Sequence, residues 1–78
     1  MEVDDYKLSL FKDCLDFGDV EQAYGIFVGM KDDLIGRLRG REVEQFHIML
    51  YDRGMRDQAR KVGASAQRMY SIGYLRKF

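Results

Sequence analysis

From Arg56 to Phe78 the chain carries six cations, Arg56, Arg60, Lys61, Arg68, Arg76 and Lys77, against a single carboxylate, Asp57. A cluster of one sign serves chiefly to neutralise anions such as phosphate, and its bland alternative is an ordinary solvated face. Catalytic chemistry has much less to work with. His47 is the only histidine and Cys14 the only cysteine, so the two can form neither an internal disulfide nor a zinc site by themselves. His47 also has no acid or nucleophile close in sequence that would make it a general base. It reads as an edge-of-core or surface residue, and Cys14 as a small hydrophobe. The expectation is a protein that binds, with no enzyme activity, no cofactor and no metal.

The 13 basic and 13 acidic residues of the 78 cancel overall, but they are unevenly spread. Residues 1–38 hold nine carboxylates and four cations, a net charge of −5, and residues 39–78 hold the reverse, +5. Such polarity points to two surfaces with different partners, one of them phosphate, or else to two halves that attract each other. The length allows one domain only, expected to comprise an acidic helical interaction half, 1–38, and a basic half, 39–78. With 46% hydrophobic and 13% aromatic residues the chain is too apolar for disorder. A domain of this size buries only about 60–65% of its surface on folding, which makes a homodimer one route to stability. No stretch approaches the roughly 18 apolar residues of a membrane span, and the acidic start Met1-Glu2-Val3-Asp4-Asp5 is unlike a secretory leader. A soluble, cytoplasmic protein is expected.

The elements that must position these residues all read as helices. Leu8, Phe11, Cys14 and Leu15 mark an amphipathic helix from about Asp5 to Phe17, stopped by Gly18. Asp19 can cap a second helix, whose Val20, Ala23, Phe27, Met30, Leu34 and Leu38 recur on one face to about Arg39. Gly25, Gly29 and Gly36 weaken it by about 1 kcal/mol each relative to Ala, so it needs tertiary packing or breaks near one of them. A third helix from about Gly40 or Arg41 to Asp52 buries Val43, Phe46 and Leu50, and Gly54 stops it. Two shorter helices follow, Arg56 to Val62 and Ser65 to about Lys77, separated by a turn at Gly63-Ala64 with Ser65 as the cap. Ala59, Val62, Met69, Ile72 and Leu75 point inward. No run of alternating β-branched residues supports a strand, so the fold class is all-α, a small bundle of four to five helices. Tyr70, Tyr74 and Phe78, four residues apart, form an aromatic ridge available for packing or for stacking on bases.

Two helices joined by a short glycine turn, the second opening on a serine, outline a helix-turn-helix. In a unit numbered from Met55, Ala59 stands fifth and Gly63 ninth, while Val62, Ala64, Met69 and Ile72 stand eighth, tenth, fifteenth and eighteenth. That spacing resembles the helix-turn-helix family over about 20 residues. The run Ala59-Arg60-Lys61-Val62-Gly63-Ala64-Ser65-Ala66-Gln67-Arg68-Met69-Tyr70 is similar to the Ala-Arg-x-Leu-Gly-Ile-Ser-x-x-Thr-Leu-Tyr run of Fis-type DNA-binding domains. Arg41-Glu42, eighteen residues before Ala59, adds a resemblance to sigma region four and LuxR-type domains.

The resemblance implies a transcription regulator of bacterial or phage type that reads double-stranded DNA with its last helix in the major groove. Base edges would then be contacted by Ser65, Ala66, Gln67, Tyr70 and Ser71, with Gln67 bidentate to adenine and Ala66 on a thymine methyl. Arg56, Arg60, Lys61, Arg68, Arg76 and Lys77 would neutralise the phosphate backbone. The acidic first half would face away and serve dimerisation, or capture of RNA polymerase or another protein. The alternative from a different class is a sigma-like cofactor or polymerase-binding module that does not read DNA itself.

Overall fold

A computed structural model describes the backbone of residues 3–71 and the side chains of residues 5–69. Five helices follow one another in that span: α1 (Val3–Phe17), α2 (Val20–Met30), α3 (Asp32–Arg37), α4 (Gly40–Asp52) and α5 (Arg56–Ser71). No strand occurs among the described residues, so the chain is an all-α bundle. None of these helices is long and apolar enough to cross a membrane.

Helix α1 ends where its sequence says it should. Gly18 takes φ 77°, a left-handed conformation that glycine enters without a Cβ penalty, and donates to the Leu15 carbonyl while Asp19 N–H donates to Cys14. The Asp19 side chain then accepts from Gln22 N–H and caps α2. The same device closes α4: Gly54 has φ 78° and donates to Tyr51, and Met55 N–H donates to Leu50. Arg53 reaches from this turn to the Gly18 carbonyl at 3.3 Å, tying the two glycine turns together. At the start of α4 the Arg39 N–H donates to Glu42 Oε1 at 2.9 Å, and the other Glu42 oxygen meets Lys12 of α1 at 3.6 Å.

The core centres on Phe46 of α4, whose ring is met edge-on by Phe11 at 4.9 Å between centroids and by Phe27 at 6.2 Å. Around them lie Leu15, Val20, Ala23, Leu34, Ile35, Leu38, Val43, Leu50, Ala59, Val62 and Met69, all buried. The stripes expected from the sequence are thus the ones that pack, with Ile35 added and Leu8 only partly covered. Residues from both charge halves share this one core.

Two features depart from the simplest version of those helices. The helix anticipated from Asp19 to Arg39 breaks, as its glycines allowed, two residues after Gly29, at Lys31, the only described non-glycine residue with positive φ, at 53° with ψ −126°. The break redirects α3 so that Leu34 and Ile35 are fully buried and Asp32 faces α5. The second difference lies in the expected pair of helices after Met55. Arg56–Ser71 is one uninterrupted helix, so Gly63-Ala64 is not a turn and Ser65 is not a cap. Continuity keeps Ala59, Val62, Ala66 and Met69 on a single face against α3 and α4, whereas a break would dephase that face and leave helix-end backbone groups without partners. Gly63 lies inside the helix with space for a side chain: a Cβ added there would sit 3.7 Å from the His47 ring, an ordinary contact. Of the remaining expectations, Ile72, Tyr74, Leu75 and Phe78 lie outside the described residues.

These two backbone features can be tested directly. Gly63→Ala adds a methyl at ordinary contact distance in a helix interior and is expected to raise unfolding stability by about 0.5–1 kcal/mol in urea titrations. A glycine needed for a turn would give a loss instead. Lys31→Gly removes strain at a φ of 53° and is expected to gain about 1 kcal/mol, read as a higher Tm.

Candidate functional site on the outer face of helix α5

The solvent side of α5 carries Arg56, Asp57, Arg60, Lys61, Ala64 and Gln67, with Arg68 at its edge towards α3, all exposed. Ala64 sits between the longer polar side chains and leaves the helix backbone open to close approach. Of the side chains expected at base edges, Gln67 is on this face. Ser65 has no exposed surface and Ala66 only 5%, so neither can reach a base. They occupy the inner face because α5 is continuous and each residue advances the helix by about 100°. The side chains of Tyr70 and Ser71, and all of Arg76 and Lys77, lie outside the described residues.

Sequence reasoning missed the solvent-facing position of Ala64 and the inward one of Ser65. The signal was present: 59, 62, 66 and 69 follow one unbroken helical period, which leaves 60, 61, 64 and 67 outside.

The cations of this face differ in their engagements. Arg56 lies 5.6 Å from the centre of the Tyr51 ring, a cation–π contact. Arg60 meets Asp57 one turn away at 3.3 Å, a fully solvated pair that water and salt screen. Lys61 forms no ion pair among the described residues. Arg68 makes the strongest engagement, with Nε at 3.0 Å from Asp32 Oδ2 and Nη2 at 2.8 Å from Oδ1, a bidentate grip. The Ser65 hydroxyl also donates to Asp32 Oδ1. The Arg68 guanidinium, with help from Ser65, holds the Asp32 carboxyl down at about 2. Arg68, anticipated as a phosphate contact, therefore spends its guanidinium first on fastening α5 to α3, although its side chain remains 61% exposed.

The two candidates for other chemistry sit elsewhere. His47 stacks obliquely on Tyr51, 5.8 Å between ring centres, beside Gly63. Cys14 is buried in the core, and that burial, reinforced by the Asp19 and Asp13 carboxylates, pushes its thiol up and away from the reactive thiolate form. Among the described residues no group of three His, Cys, Asp or Glu side chains could hold a metal.

The Asp32 contact makes stability depend on acid. A carboxyl held at about 2 when folded and near 4 when unfolded contributes stability that is complete above about pH 4 and is lost as pH falls through about 2. Urea midpoints measured across that window are expected to fall more steeply with acid for the parent than for Asp32→Asn, which already lacks the charge. Parallel curves would remove the ion pair from the account of how α5 is fastened.

Comparison with protein-family models, with curated proteins and with solved structures returned no match to this chain.

Proposed function

We propose that this protein is a small transcription regulator that binds double-stranded DNA through the outer face of α5. One observation carries the reading: a sixteen-residue helix whose exposed stripe presents Arg56, Arg60 and Lys61 beside Ala64 and Gln67. A major groove about 12 Å wide admits a single helix, provided that the helix offers a polar outer face with cations at its edges. Here the cations would meet phosphates and set affinity, while Gln67, able to bond adenine bidentately, would supply sequence preference. Ala64 replaces Ala66 as the small side chain available to a thymine methyl. The glycine turn between paired helices lies at Gly54, one helix earlier than the sequence pattern suggested, so the reading rests on the helix face and not on the resemblance of the run from Ala59 to Tyr70.

A second reading is favoured by α1. Tyr6 is 58% and Phe17 86% exposed on a face that also bears Asp13 and Asp16. Aromatic side chains ringed by carboxylates suit the basic surface of another protein, such as a polymerase subunit, or a second copy of the chain.

The deciding experiment is fluorescence anisotropy on duplex DNA over a salt series, with the parent and with the Arg60→Glu, Lys61→Glu double variant. The DNA reading expects a steep fall of affinity with salt. It also expects the variant to bind at least about tenfold more weakly, with a salt slope shallower by about two. Duplex binding that is equal in both proteins would remove α5 as the contact. Retention on a basic protein surface that Phe17→Ala abolishes would then establish the second reading.

A further inference from the structure

A groove of about 420 Å³ runs between α2 and α5, beside the stripe just described. Tyr24 and Val28 line it from α2, Lys31 stands at the break after that helix, and Lys61, Ala64 and Arg68 line it from α5. The Tyr24 ring is half-buried and backed by Phe27, 5.7 Å between ring centres and tilted by 38°, so it forms a supported wall. Ala64 opposite it leaves headroom. No carboxylate lines this space. Of its three cations only Arg68 has an ion-pair partner among the described residues, Asp32; Lys31 and Lys61 have none there. The Arg68 head is already fixed by its two bonds to Asp32.

We infer that this groove binds a nucleotide unit, a planar base stacked on Tyr24 with its phosphate between Lys31, Lys61 and Arg68. Each half of such a ligand answers a feature of the groove. An inorganic anion would leave the aromatic and aliphatic walls without a use, and a purely apolar ligand would leave two lysines facing it unneutralised. The volume lies in the range of small-ligand sites, which run from about 300 to 1,000 Å³. Lys31 supplies a separate argument. Its backbone holds φ 53° and ψ −126°, which a glycine would hold without strain, so what the lysine adds there is its side chain, and that side chain lines the groove. Strained residues of this kind concentrate where a side chain has a task.

A nucleotide unit reaches the groove as a free nucleotide or as part of an unpaired strand, and neither route requires duplex binding by Arg60 and Gln67. The test uses the full chain and three probes: adenosine monophosphate and inorganic phosphate by titration calorimetry, and a labelled single-stranded oligothymidylate of about eight nucleotides by anisotropy. The expected result is binding of the monophosphate, the strand or both, weakened about tenfold or more by Tyr24→Leu and by Lys31→Gly. Lys31→Gly is decisive because it is expected to be the more stable protein, so lost binding cannot be lost folding. Equal affinity for the monophosphate and the strand identifies a free-nucleotide site, and tighter binding of the strand identifies an unpaired nucleic acid. Inorganic phosphate binding as tightly as either organic probe, no binding of any probe at millimolar concentration, or affinities that neither variant changes would each overturn the inference. Duplex binding is scored separately with Arg56→Glu, Arg60→Glu, which leaves Tyr24, Lys31, Lys61 and Arg68 of the groove in place, so the two readings fail independently.

Discussion

Asp32 fixes the rotation of α5 about its own axis, and the outward face of the molecule follows from that rotation. The Ser65 hydroxyl is fully buried, and a buried hydroxyl without a partner costs more than the bond it forgoes is worth. Its partner is the Asp32 carboxylate, which the break at Lys31 has turned towards α5. With Ser65 held against α3, the helical period places Ala59, Val62, Ala66 and Met69 in the core and Lys61, Ala64 and Gln67 in water. A slip of one residue would rotate every side chain by about 100° and put Ala64 where Ser65 is, with no hydroxyl for the carboxylate. Arg68, one turn further, closes the grip from outside. The strained lysine, the carboxylate and the buried serine therefore form a single constraint spread over three elements.

The parts of the fold that could be read from the sequence are those encoded within a few residues. Gly18 followed by Asp19 stops one helix and caps the next, and Gly54 stops α4, because in each case the bonds that define the turn run between neighbours. The apolar stripes of α1, α2 and α4 were legible for the same reason. The continuity of α5 was not, although nothing in its composition forbids it. Gly63 and Ser65 carry the local marks of a turn and a cap, but Ser65 has its partner 33 positions away in Asp32. Tertiary contact outweighed a local preference of about 1 kcal/mol. The break after α2 was legible only to within a few residues: it falls at Lys31, two residues after Gly29, where α3 can bury Leu34 and Ile35.

The expected contact residues divide along a physical line. Arg56, Arg60 and Lys61 kept their exposure because a long cationic side chain reaches water from most positions on a helix. The short side chains expected at base edges depend on phase. Without a turn at Gly63, α5 runs on and carries Ser65 and Ala66 into the core while leaving the cations outside. Charge composition therefore anticipated which side chains stay exposed on α5 better than motif spacing anticipated their phase.

The separation of charge between the two halves of the chain also survives folding. Among the described residues two ion pairs join the halves, Lys12 to Glu42 and Arg68 to Asp32, and they run in opposite senses. The acidic half gives up one cation and one anion, the basic half one of each, so −5 and +5 stand as they were. Attraction between halves accounts for none of the imbalance. The two halves of the sequence still differ by ten charges, while in the fold α1 packs on α2 and α5 packs on α3 and α4. For the proposed duplex contact, the cations of α5 would attract the polyanion and the carboxylates of α1 would repel it, which would orient the encounter before any contact forms.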